Sequence, residues 1–225
     1  MQTQSKSNTN FTQLKPRIFG LIGITILAFL LIWSLLKDTS PSVYHQILLK
    51  ERQNKNQAFR INSESPLTEE MKKSFTGLVY FEPDINYQTE AELELSKKPD
   101  TLLIPRSDGM GDTLIKLGII QFDLPAYPDQ KFKLTVFQNP YSAPDQIFIP
   151  FRDLTSGKET YGGGRYLELK WKPETPVVID FNRVYHPFCV YNDQYVCVIP
   201  PDENRLPVKI NAGERLPQEI KSSIR

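Results

Sequence analysis

The chain has 225 residues, 40% of them hydrophobic and 24% charged, with 27 Lys and Arg against 26 Asp and Glu. Those are globular proportions, and they exclude a wholly disordered, collagen-like or disulfide-dense chain. A net charge of +1 also lacks the basic excess that marks a nucleic-acid binder, and no such partner is expected.

The first feature in chain order is the run 18–36, which contains no charged residue. Nineteen helical residues span about 28 Å, close to the thickness of a bilayer's hydrocarbon core. Thirteen of them are Leu, Ile or Phe, together worth about −4 to −8 kcal/mol for insertion. A helix buried in a soluble core keeps a polar face, and this one has none. No small-residue cleavage site follows, so the segment reads as an uncleaved single-pass anchor in the lipid bilayer and not as a signal peptide. Lys6, Lys15 and Arg17 precede it with no acidic residue. Lys37, Lys50, Arg52 and Lys55 follow it, so the count is not lopsided. Lys15 and Arg17, the basic pair closest to the run, nevertheless predict a cytoplasmic tail over 1–17 and a domain outside the cytoplasm, at the inner (plasma) membrane.

The four basic residues of 1–37 leave 23 basic against 26 acidic residues beyond them, a mildly acidic remainder of one domain's length. Ser40-Pro41 offers a helix start, and Val43, Tyr44, Ile47 and Leu48 recur at helical spacing. The polar stretch 50–57 makes this segment, 37–62, a stalk or a surface layer. A second, shorter helix is expected from Ser65-Pro66 through Lys72, with Glu69 and Glu70 in its first turn.

Beyond Phe75 the period changes to two. In 87–95, Tyr87, Ala91, Leu93 and Leu95 alternate with Gln88, Glu90, Glu92 and Glu94, the pattern of a strand with one wet face. Residues 131–136 and 166–171 repeat it, while 114–124, 147–151 and 177–181 are more continuously apolar. Asp108-Gly109, Gly111-Asp112, Asn139-Pro140, Ser156-Gly157 and Lys172-Pro173 read as turns. The expectation for 63–225 is a mainly β domain, an antiparallel sandwich or barrel of about ten short strands. An anchor helix and one or two short helices precede it.

The unusual residues lie in the last third. Gly162, Gly163 and Gly164 precede Arg165, but the Lys-Ser/Thr and helix of a phosphate-binding loop are missing, which favours a tight turn. Arg165 can hold a carboxylate in a two-pronged fork. Asp180, Asn182, His186, Glu203, Asn204 and Glu214 add polar groups among Phe181, Tyr185, Phe188 and Tyr191, a composition that suits polar groups converging in an aromatic wall. Cys189 and Cys197 flank a turn-prone Asn192-Asp193-Gln194. A hairpin symmetric about Asp193 would set them opposite each other at disulfide distance. Two reduced thiols, or a zinc site with His186, are the alternatives. No catalytic signature is complete, so no catalytic residue, cofactor or resident metal is assigned.

The runs YGGGRY, DFNRVYHPFC and YNDQYVCVIPPDENRLPVKINAGE resemble a bacterial family of unknown function, domain of unknown function 1684. Ser65-Pro66-Leu67-Thr68 and the Gly77-Leu78 and Tyr80-Phe81 pairs are also similar to it. The chain departs from the family pattern at Val184 for Ala, His186 for Asn, and Val198. The resemblance implies no reaction.

The functional expectation is a membrane-anchored binding or interaction domain in which Arg165, Asp180 and Glu203 form a polar cleft, with Asn182, His186 and Asn204 as further ligand-binding residues. A hydrolase using Asp180, Glu203 and His186, and a structural envelope protein without a ligand, are the alternatives.

Overall fold

The computed structural model describes residue 29 and residues 41–172 and 175–217. Apart from Phe29, the expected tail and anchor (1–36) lie outside the described residues. Among the described residues no helix is long and apolar enough to cross a membrane. The chain divides into two units, Met1–Val43 and Tyr44–Arg225, and the sheets and clefts belong to the second.

Helix α1, Pro41–Ile61, opens the described chain. Tyr44, Leu48 and Phe59 are buried, whereas Val43 and Ile47 stay nearly half exposed. The buried positions fall four and eleven residues apart, one stripe of the helix. Arg52, Lys55 and Asn56 lie on the same stripe, and all three make contacts with the domain: Arg52 Nη1 donates to the Phe81 carbonyl, Lys55 pairs with Glu214, and Asn56 Oδ1 accepts from Leu78 N–H. Of the two expectations for this segment, the described part is a surface layer. Helix α2, Glu69–Ser74, is capped by Thr68, whose Oγ1 accepts from Met71 N–H. Ser65 is not its start, because the Ser65 hydroxyl is already used: it donates to the Phe59 carbonyl at the end of α1 and accepts from Leu67 N–H.

The strands are β1 (Val79–Tyr80), β2 (Gln88–Pro105), β3 (Gly111–Leu124), β4 (Tyr127–Gln138), β5 (Gln146–Phe151), β6 (Arg165–Lys170), β7 (Val177–Asp180) and β8 (Glu214–Arg215). Six form one antiparallel sheet in the order β6-β5-β4-β3-β2-β7, and β1 pairs with β8. Tyr166 of β6 and Tyr185, just after β7, exchange both backbone hydrogen bonds. That bridge nearly closes the sheet into a barrel, so barrel rather than sandwich is the architecture.

Among the described residues eight strands stand where about ten short ones were expected, because two of them are long. β2 runs for 18 residues and β3 for 14. Lys97-Lys98-Pro99 does not end β2 but is absorbed as an irregularity between Leu95 and Asp100. Gly118 lies opposite that bend, where a side-chain Cβ would come within 2.1 Å of the Glu94 carbonyl oxygen. The close approach lets the sheet curl at this level. Gly111-Asp112 is likewise no turn; it opens β3 opposite Pro105 and Ile104.

The barrel interior holds Ile120, Leu134, Ile147, Ile149, Ile179 and Phe181, all almost fully buried. The segment after Asn204 adds Leu206, Val208 and Ile210, which alternate with exposed neighbours. It hydrogen-bonds to the loop after β5 through Arg152 and Leu154.

Candidate functional site

The structure does not gather the polar residues of the last third into one cleft; it spends most of them as ties between elements. Gly164, at φ +100°, lies so close to the Phe151 carbonyl that a Cβ would sit 2.6 Å from it. This contact delivers Arg165 into the interior, where it is 1% exposed. Its Nη2 pairs with Asp153 at 2.7 Å and donates to the Ile210 carbonyl, while Nη1 donates to the Ala212 and Glu214 carbonyls. A planar fork suits one carboxylate and three carbonyls as an ammonium would not. Burial pulls the guanidinium below its ordinary value, and Asp153 opposes that pull. The acidic partner of Arg165 is therefore Asp153, and not Asp180 or Glu203.

Asp180 and Asn182 do come together, beneath α1. Tyr44 Oη donates to the Asp180 carboxylate at 2.8 Å, Asn182 N–H donates to it at 3.0 Å, and Arg183 is ion-paired with it. Asn182 in turn donates to the Asp84 carbonyl and accepts from Asp84 N–H. Arg183 also takes both oxygens of Glu51 on α1. Burial, then Asp180, drives the Tyr44 hydroxyl far above its ordinary value. Both Asp180 oxygens already accept hydrogen bonds here.

His186 and Glu214 make the third tie. Gly213, at φ +74°, is pressed against Val184, and Glu214 N–H bonds back to the Val184 carbonyl. The buried Glu214 carboxylate then accepts from His186 N–H at 2.7 Å and Tyr191 Oη at 3.0 Å, and Lys55 of α1 lies 2.6 Å from its other oxygen. His186 Nε2 accepts from Tyr161 N–H, which leaves the proton of the neutral ring on Nδ1. Burial, aided by Arg165 and Lys55, holds the imidazole well below its ordinary value, so it is neutral at physiological pH.

The remaining candidates stand apart. Glu203 is exposed in a short turn, Asp202–Asn204. Its neighbour Asn204 is fully buried and replaces missing sheet hydrogen bonds between β4 and β5. The Asn204 amide donates to the Thr135 and Pro150 carbonyls, and its oxygen accepts from Thr135 N–H at 2.6 Å. Gly162 and Gly163 complete the turn before β6, closed by Gly164 N–H to the Tyr161 carbonyl.

Cys189 and Cys197 are joined in a disulfide with Cα atoms 6.1 Å apart, so neither thiol is left for a metal set with His186. The expected hairpin is absent. Phe188–Val190 wind into a short 3-10 turn, and Tyr195 N–H closes another onto the Asn192 carbonyl. The backbone of Cys197 pairs instead with Ser107 in the β2–β3 turn. Competition from that turn explains why a strand-prone segment does not fold onto itself.

The disulfide loop forms one wall of an open cleft of about 320 Å³. Phe148 of β5, Tyr166 of β6 and Tyr185 line it, as do Phe188 and Tyr195 at the loop. Phe148 and Tyr166 meet edge to face at 4.9 Å, Tyr166 and Tyr185 at 5.9 Å, and Phe188 and Tyr195 at 5.4 Å. Asn139, Ser142, Gln146, Asp112 and Glu168 supply its polar groups. Gln146 Nε2 donates to Glu168, and Tyr166 Oη donates to the Val198 carbonyl. Burial and the Glu168 carboxylate hold the Tyr185 hydroxyl well above its ordinary value. Of the polar, aromatic and cysteine residues singled out in the last third of the sequence, only Tyr185, Phe188 and Cys197 line this cleft. The other lining residues come from β3, β5 and β6, from the loop between β4 and β5 and from the segment 187–198, whose adjacency no local motif records.

A solved solution NMR structure of an uncharacterized protein from Haloarcula marismortui is similar to this one. It has a TM-score of 0.62 and 32% sequence identity over 79% of this chain and 97% of that chain. No curated protein matches the chain. The family model described as a protein of unknown function, DUF1684, matches residues 73–215. That span holds the whole barrel, the disulfide loop and the cleft, and the chain belongs to the DUF1684 family.

Proposed function

We propose that the protein is a membrane-tethered binding module whose domain, outside the cytoplasm, takes a small molecule in the cleft beside the disulfide loop. The observation that carries the reading is the contrast in hydrogen bonding. Asp180, Asn182, His186 and Glu214 are engaged with protein partners, whereas the cleft is lined by aromatic rings together with a few polar groups. A concave, largely apolar surface with a few placed polar groups is what small ligands require, and about 320 Å³ lies at the lower end of such sites.

Location rests on two independent supports. The run 18–36 has the length and apolarity of a single span, and a disulfide persists in an oxidising compartment. Replacing the exposed Lys97 with cysteine tests it. The new thiol reacts with a membrane-impermeant reagent in intact cells, and labelling only after lysis contradicts the assignment.

The binding reading is tested by thermal shift of the detergent-solubilised full chain against a library of small polar and aromatic compounds. A binder at a hundred times its Kd stabilises the native state by about 2.7 kcal/mol. Stabilisation that survives in Tyr195→Ala as strongly as in the wild type would place binding elsewhere. A library without any hit would favour the structural envelope role.

A further inference from the structure

We infer that the ligand of this cleft is a small organic cation, an amine or quaternary ammonium compound. The inference rests on the binding reading above. Two carboxylates, Asp112 and Glu168, line the cleft, and no lysine or arginine is among the described residues that do. Neither carboxylate is ion-paired among the described residues. Asp112 accepts from its neighbour Thr113 N–H and Glu168 from the Gln146 amide. Both lie close to the aromatic hydroxyls, Asp112 to Tyr166 and Glu168 to Tyr185, where they raise the cost of removing a phenolic proton. The cleft therefore presents two carboxylates in aromatic surroundings, one of which, Asp112, also lies in the field of Arg106. That lining repels anions, and a cation would neutralise it.

The rings reinforce that selection. Phe148 and Tyr166 are inclined at 79°, Tyr166 and Tyr185 at 88°, and Phe188 and Tyr195 at 85°. A flat sugar or planar aromatic ligand is best served by parallel ring faces. The rings that line the cleft carry electron-rich faces, and such a face attracts a cation. The same chemistry already operates on one of these residues: Lys55 Nζ of α1 lies 4.5 Å from the centre of the Tyr185 ring. Phe188 adjoins Cys189 and Tyr195 lies two residues before Cys197, so the cross-link helps to hold these two rings against each other.

The test is calorimetric titration of the full chain in a non-ionic polyoxyethylene detergent. Choline and butylamine are the cationic probes, with 3,3-dimethyl-1-butanol as the uncharged isostere of choline and glucose as the neutral sugar. The expected result is binding of a cationic probe, with the isostere weaker by about tenfold or more and glucose silent. Glu168→Gln, an isosteric change at an exposed position, should lower cation affinity by about tenfold while the melting temperature stays put. Tyr195→Leu should lower it too, by removing one of the lining rings. Equal affinity for choline and its isostere, or binding of glucose without either cation, overturns the cation assignment and leaves the binding module standing. Failure of both cations overturns the assignment as well. The thermal-shift library then shows independently whether the cleft binds anything.

Discussion

Two regions of the domain use similar side chains for opposite ends. Beneath α1 and along the segment 204–214, Arg165, Asp180, Asn182, His186, Asn204 and Glu214 are buried, and each hydrogen-bonds to a partner far away in sequence. In the cleft by the disulfide loop, Glu168 and Tyr195 are exposed and Asp112 is partly so. The first region resembles a set of rivets. It fastens α1, the loop after β5 and the last strand to a barrel whose own sheet is incomplete between β4 and β5. The second is left open by the same frame. Polar residues that look chemical in a sequence are thus consumed where the fold lacks regular hydrogen bonds, and the surface that remains available is built from commoner residue types.

The largest effect that would break this contrast concerns Arg165. Removing one partner of a buried ion pair costs about 3–5 kcal/mol, so Arg165→Ala should lose that much in urea denaturation. Arg152→Ala, which forfeits one part-buried bond to the Pro200 carbonyl, should lose about 1 kcal/mol. Lys170→Ala, at an exposed position, should change stability by less than about 0.5 kcal/mol. Equal losses for the three variants would show that Arg165 is no rivet.

Reduction of the disulfide comes next. Opening so short a loop should cost about 2.5 kcal/mol on the chain-entropy model, measured as the difference in unfolding free energy with and without reductant. Because the loop carries Phe188 and Tyr195, ligand-induced stabilisation should vanish on reduction even at temperatures where the barrel remains folded.

A third, smaller effect is pH-dependent. Burial lowers the His186 pKa in the folded state, so between that value and the unfolded value near 6.5 the unfolded chain binds more protons. Stability from this group is fully present above about pH 6.5 and is lost as pH falls below it, by up to about 1.4 kcal/mol per pH unit. His186→Asn should flatten that part of the acid limb. An unchanged slope would mean that His186 takes up its proton in the folded state without penalty.

Tyr195→Ala should do least to the fold. The side chain is 37% exposed, and the loss should stay within about 1 kcal/mol. Its effect should appear in ligand affinity instead. A large stability loss with unaltered affinity would move Tyr195 from the second region to the first.

How much of this was legible in the sequence follows from the range over which each feature is determined. The strands β3 to β7 coincide closely with apolar or alternating runs, because a strand's burial pattern is written in consecutive residues. The length of β2 was not legible. Lys97-Lys98-Pro99 looks like a break, and only the facing Gly118 shows how a bent strand continues past it. The importance of Arg165 was readable from its place after three glycines, but its partner Asp153 was not. Twelve residues separate them, and nothing local pairs them. Asn204 illustrates the limit most clearly. Its role depends on a gap between β4 and β5 that exists only in three dimensions. The cleft escaped for the same reason, since Phe148, Tyr166 and Tyr195 meet through sheet order and a cross-link.

The most direct test of the division between rivets and cleft is an amide NMR titration of the isotopically labelled full chain with choline. The account predicts shift changes confined to the cleft, at Asp112, Phe148, Glu168, Tyr185 and the loop from Phe188 to Val198. Amides of Tyr44, Lys55, Asp180, Asn182 and Glu214 should stay where they are. Changes centred on α1 and Glu214, or no change at any amide up to millimolar choline, would contradict it.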